Sequence, residues 1–166
     1  ITGDSLGPII GHRLSREHLN KCNIYGTLSQ PVHALNLHET LQTIKEEHPD
    51  CLIIAIDASL GSKEHQGFVT VSNGPLIPGL GVKKKLPPVG DISITGIVNL
   101  SGAFEHFALQ TTRLSTVIQL ADAIIDGEYY TDYTCSFFSE HLGKPMDKKL
   151  QNNNWCGAGR MLAVDA

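Results

Sequence analysis

The chain has 166 residues, 41% of them apolar, enough for one globular domain with a real core and too apolar for a disordered segment. A formal net charge of −4 and a pI near 6.0 give no global attraction to nucleic acid or to an anionic membrane. No apolar stretch has the length of a membrane span, the first residues do not read as a secretory signal, and Cys22, Cys51, Cys135 and Cys156 form no CxxC pair, so a reduced, cytoplasmic chain without a zinc knuckle is expected.

Residues 5 to 19 predict the first helix. Leu6, Ile9, Ile10 and Leu14 recur at helical spacing, Asp4 or Ser5 can cap it, and Pro8 is tolerated in a first turn. "NIYG" predicts a short strand and "TLSQP" a turn. A second helix spans 37 to 47 through Leu37, Leu41 and Ile44, and Pro49 closes it. "CLIIAIDA" predicts a strand buried on both faces and ending at Asp57, followed by a loop, "LGSKEHQG". "FVTVS" alternates as a more exposed strand. "NGPLIPGLGVKKKLPPVGD" is a long glycine- and proline-rich loop, and a loop of that length in a compact domain is usually functional. "ISITGIV" predicts the next strand, and residues 103 to 125 carry helical periodicity through Phe104, Phe107, Leu114, Val117 and Ile124. Residues 127 to 166 lose that periodicity. They predict a peripheral extension, partly disordered, with one short helix near 136 to 142.

Strands alternating with helices predict an α/β domain over residues 1 to 126 with a mainly parallel sheet. In such sheets ligands gather at the carboxyl ends of the strands. Asp57 is expected at one such end and Asp4, in a strand-to-helix turn, at another. Two carboxylates a few ångströms apart cannot both ionise easily. The charged one can activate water, and the protonated one can donate to a carbonyl oxygen. The helix dipole favours the charged form at Asp4, and the buried strand end favours the protonated form at Asp57. On spacing alone, simple capping roles remain open for both. Gly79 and Gly81 leave main chain uncovered for a close approach, with Lys83, Lys84 and Lys85 beside them. Neither HExxH nor GxSxG occurs; one of His65 or His106 together with the two aspartates is the alternative metal-site reading.

The segments "TGDSLGP", "YGTL", "PVHALNL", "IIAIDASLG", "GPLIPGLGVKKKLPPVGDISITGIVN" and "LQTTRLS", in this order, resemble the YyaC family of sporulation proteins over residues 1 to 125. That family is similar to the spore germination protease and, more distantly, to the maturation endopeptidases of nickel hydrogenases. The resemblance implies a three-layer α/β/α phosphorylase/hydrolase-like fold and a forespore compartment. It also implies a peptidase that acts on protein or peptide substrates without a cofactor or metal. Asp4 and Asp57 match the positions of the germination protease's paired catalytic aspartates. "IPGLGVKKK" matches a loop that makes Gly79, Gly81 and Lys83 substrate-binding candidates. The family carries a strand before "TGDSLGP". It is absent here, so an open gap beside the central strands is expected. A non-enzymatic, partner-binding role on the same fold is the alternative, and a metal-dependent maturation-type endopeptidase is a third reading.

Overall fold

A computed structural model describes residues 1–17, 22–78, 86–129 and 159–165. The first helix, α1 (Leu6–Ser15), follows a single 3-10 turn at Gly3–Ser5. Leu6, Ile10 and Leu14, spaced by four, are its buried apolar stripe. β1 (Cys22–Tyr25) and the two-residue β2 (Val32–His33) precede α2 (Leu37–Glu47), whose bounds are those the periodicity predicts. Asp50, at φ 63°, turns the chain into β3 (Leu52–Gly61). β4 (Val69–Asn73) and β5 (Ile92–Leu100) follow.

The single helix predicted over 103 to 125 is two, α3 (Glu105–Thr111) and α4 (Leu114–Tyr129). The break has a local cause. Thr112 is extended, and its hydroxyl donates to the Ala108 carbonyl at 2.9 Å. The Asn99 amide donates to the same carbonyl at 2.8 Å, so side chains take over a bond that the next helical N–H would make.

The last element, β6 (Gly159–Asp165), corrects the expectation of a wholly peripheral tail. It lies inside the sheet, whose order is β1-β6-β3-β5-β4, with β2 also paired to β6. Its register sets Met161 beside Ile24 on one side and Ile54 on the other. The gap expected beside the central strands is therefore filled by a segment from the far end of the chain. The short helix expected near 136 to 142 falls outside the described residues. The β1–β6, β2–β6, β3–β6 and β3–β5 pairings are all parallel, and β4 is an antiparallel edge on β5, so the domain is mixed α/β with a mainly parallel sheet.

Successive residues of β3 face opposite ways, and the two cores divide accordingly. Ile56 joins Leu6, Ile10 and Leu14 of α1, Ile94 and Val98 of β5, and Val117, Leu120 and Ile124 of α4. Ala55 joins Val32, Leu37 and Ile44 from the α2 side, together with Leu76 and Val89. Arg13 on α1 pairs with Asp122 on α4, but both side chains are nearly half exposed, so the pair adds little to this packing.

Candidate carboxylate site

Asp57 does not end its strand. β3 continues to Gly61, paired with β5 through Asp57 beside Thr95 and Ala58 beside Gly96, with a register shift after Ser59. On the other side β6 follows β3 only from Leu52 to Ile56. Asp57 is thus the first residue past that ladder. It stands where β3 and β6 part at their carboxyl ends, while β6 goes on to pair with Val32 and His33 of β2. An opening between parallel strands at their carboxyl ends is where sheets of this class take ligands. Asp57 is 6% exposed, and its Oδ1 accepts the Ala58 N–H at 2.7 Å.

Asp4 stands in the 3-10 turn before α1. That turn packs against β3 and α3 and is only 8% exposed at Asp4. Two glycines allow the fit. A Cβ at Gly3 would stand 2.8 Å from Leu109 Cδ2 and 3.0 Å from the Leu109 backbone. A Cβ at Gly96 would stand 2.5 Å from Leu6 Cδ2. Leu6 can therefore sit directly on the β5 backbone, beside the level of Ala58, and it carries the turn with Asp4 onto the sheet. Ser5 does not cap α1 as expected. Its hydroxyl donates instead to the Thr2 carbonyl at 2.6 Å.

Gly79, Gly81 and Lys83 lie outside the described residues. The roots of their loop are described. Leu76 and Val89 exchange both backbone hydrogen bonds, at 2.9 and 2.8 Å, and pack on the Ala55 face of the sheet with Pro78 fully buried. Gly90, at φ 88°, passes so close to Ala55 that a Cβ there would meet its methyl at 2.8 Å. Asp91 then ties the loop to the start of β3: its N–H donates to the Ile53 carbonyl at 2.7 Å, and its Oδ2 accepts the Ile53 N–H at 2.8 Å. From Asp91, level with Ile53, to Val89, packed on Ala55, the loop climbs along this face in the direction of Asp57.

The two histidines offered as metal partners, His65 and His106, are exposed, whereas Asp4 and Asp57 are buried. His65 is exposed, paired with the Ser62 hydroxyl at 3.0 Å and edge-on to Phe68. His106 is exposed on α3. Among the described residues no three His, Cys, Asp or Glu side chains gather to hold a metal.

Two features were not legible in the sequence. Asn23, Tyr25 and His48 meet where β1 crosses the end of α2, with Asn23 Nδ2 2.7 Å and the Tyr25 hydroxyl 3.0 Å from His48 Nε2. They border a concavity of about 540 Å³ and fasten α2 to the sheet. The second is α3. Phe104 and Phe107, which carry the helical periodicity expected over 103 to 125, are exposed. The helical period was correct, but the break at Thr112 frees α3 from the face that α4 buries.

A family model described as "Protein of unknown function (DUF1256)" matches residues 1–127. The chain belongs to the DUF1256 family. It is 47% identical over 133 residues to the "Uncharacterized protein YyaC" of Bacillus subtilis (strain 168), a match covering 80% of this chain and 65% of that protein's length. The resemblance to YyaC is borne out, and both Asp4 and Asp57 fall inside the part assigned to DUF1256. No solved structure matches this DUF1256 chain. β6 lies beyond the DUF1256 match, so the strand that completes the sheet comes from outside the family's shared region. Among the described residues no helix is long and apolar enough to cross a membrane.

Proposed function

We propose that this chain is a peptidase-like hydrolase of the spore germination protease type, with Asp4 and Asp57 acting on water. The reading takes the domain as a three-layer α/β/α phosphorylase/hydrolase-like fold working in a sporulating cell. The observation that carries it is the burial of two aspartates, one in the turn that packs on β3 and the other on β3 where it parts from β6. Buried carboxylates are costly unless they are paired, bonded or used. In the proposed reaction the ionised carboxylate takes a proton from water as the water oxygen attacks the peptide carbonyl. The protonated carboxyl donates to the carbonyl oxygen. The tetrahedral intermediate then collapses, the C–N bond breaks, and the leaving amine takes up the proton. The substrate segment would lie across the carboxyl ends of β3 and β5. Gly79 and Gly81 would let the loop's main chain approach it, and Lys83 would hold its polar groups.

The test is incubation of the full chain with an unstructured protein such as β-casein, with new termini read by mass spectrometry. The reading expects new α-amino termini that disappear in Asp4→Asn and Asp57→Asn. A second reading, a non-enzymatic protein that holds a peptide on the same edge, is favoured by the exposure of Phe104, just before α3, and Phe107 on it. It expects binding to the same probe with no new termini.

A further inference from the structure

β3 is longer than the ladder that β6 makes with it. β6 follows it from Leu52 to Ile56, whereas β3 runs on to Gly61. The backbone groups of a strand alternate sides, and two bonds set the phase here. The Ile53 carbonyl accepts the Asp91 N–H at 2.7 Å, and the Gly61 carbonyl accepts the Ser101 N–H at 2.8 Å. Asp91 and Ser101 flank β5, so Ile53 and Gly61 bond on the β5 side. The even-numbered residues between them present their N–H and carbonyl groups to the β6 side. Ala58 is the first of these past the end of the ladder, and its N–H goes to Asp57 Oδ1 at 2.7 Å. The carboxylate thus takes the place that the next β6 carbonyl would hold. Beyond it the Ala58 carbonyl and the Leu60 N–H face the opening, and among the described residues no strand pairs with them on that side. Burial changes at the same point: Ala55, Ile56 and Asp57 are buried, and Ala58 to Gly61 are half-buried.

We propose that this open length of β3 is the substrate-binding edge of the carboxylate site. It takes one extended peptide segment, held by its main chain, which continues the ladder where β6 leaves it. The inference deepens the hydrolase reading and rests on it for calling the ligand a substrate, not for the binding itself. Three observations select the occupant. The groups on offer are a main-chain donor and a main-chain acceptor at strand spacing, the complement of another extended main chain. They continue an existing parallel ladder, whose last pair is Ile56 beside Ala163, so a segment entering there meets a register already set. The opening lies between two neighbouring strands of one sheet, β6 and β3, so a single chain segment fits it and the sheet edge of a second copy does not. From Ala58 to Gly61 the edge is about 10 Å long at about 3.3 Å per residue, room for about three residues of ligand. Asp57 lies at the start of that segment, which then passes over the carboxyl ends of β3 and β5.

The probe is the peptide Ac-KTVTVTVK-NH2. Its control is the same sequence N-methylated at every threonine and valine, which keeps the charge and side chains but loses the strand donors. Binding is measured by calorimetry, and hydrogen exchange is read residue by residue by NMR. Both use the full chain carrying Asp57→Asn, which separates docking from turnover. The proposal expects saturable binding of the probe and binding of the control weakened about tenfold or more by the lost main-chain bonds. It also expects exchange at the Leu60 amide to slow about tenfold or more in the complex. Equal binding of the two peptides would overturn it, as would binding that leaves Leu60 exchange unchanged, or no binding of the probe at about 1 mM. A Leu60 amide already as slow in the free chain as those of the β3–β5 ladder would overturn it too, because the chain's own residues would then cover the edge. Protection of Leu60 with no cleavage of the probe by the parent chain would retain this inference and remove the hydrolase reading. Cleavage without protection would do the reverse.

Discussion

Gly96→Ala places a methyl group where the structure has no room for it. The added Cβ would lie 2.5 Å from Leu6 Cδ2 and 3.4 Å from Leu120 Cδ1, in a core where Leu6 is fully buried. The backbone of β5 is held by β3 and β4 on its two sides, so Leu6 must give way. Overpacking of this kind costs about 1–3 kcal/mol. For a chain of this length that lowers the melting temperature by about 3–10 °C. Leu6→Ala alone opens a void and costs about 2–5 kcal/mol. In the double variant the new methyl enters the space that Leu6 vacates, so the two costs should fall short of additivity by about 1 kcal/mol or more. Thermal and urea melts followed by circular dichroism on the four chains measure this. A Gly96→Ala chain that melts at the parent temperature, or strictly additive costs, would refute the seating of Leu6 on β5. The placement of Asp4 two residues earlier would lose its support with it.

Gly90→Ala combines a positive φ with a 2.8 Å approach to Ala55, whereas Gly67, at a similar positive φ of 85°, faces open space. The first should cost more than the second, which should stay near the roughly 1–2 kcal/mol of the backbone conformation alone; equal melts would place the 76–89 bridge wrongly. Leu162→Pro removes a ladder N–H from β6 between β1 and β3, and should cost about 1–3 kcal/mol for the partner left unbonded. Hydrogen exchange gives the companion readout: slow amides at 160–164 in the parent chain, where fast exchange would take β6 out of the sheet. Asn99→Ala removes one of the donors to the Ala108 carbonyl, leaving the Thr112 hydroxyl, and should destabilise by about 1 kcal/mol, with faster exchange confined to α3.

Much of the fold is legible because burial patterns repeat locally. The α2 stripe of Leu37, Leu41 and Ile44, closed by Pro49, fixes a helix without outside help. The apolar run of β3 marks a central strand for the same reason. What was not legible depends on distant partners. Nothing in "GRMLAVD" distinguishes a sheet's inner strand from a tail, because its pairing partners lie more than a hundred residues away. The extension of β3 past Asp57 to Gly61 depends on β5, and the break between α3 and α4 depends on Asn99, which precedes α3. Phe104 and Phe107 fit a helical stripe, yet that stripe faces solvent once the helix is broken. The two aspartates stood out as single carboxylates at the edges of apolar segments. The close fit of the turn that carries Asp4 comes from Gly3 and Gly96, whose role is invisible until Leu109 and Leu6 are in place.

The central claim is that Asp4 and Asp57 act together on water, and turnover by the Asp57→Asn chain tests it most directly. Asparagine keeps the shape and can still accept the Ala58 N–H, but it cannot exchange a proton with water. The account predicts that the parent chain releases new α-amino termini from β-casein. The Asn variant should lose about 10²–10⁴-fold of that rate. Its stability should be unchanged or raised by about 1 kcal/mol as like-charge repulsion is relieved. Cleavage by the variant at the parent rate, or a destabilised variant whose activity falls only in proportion to its folded fraction, would contradict it.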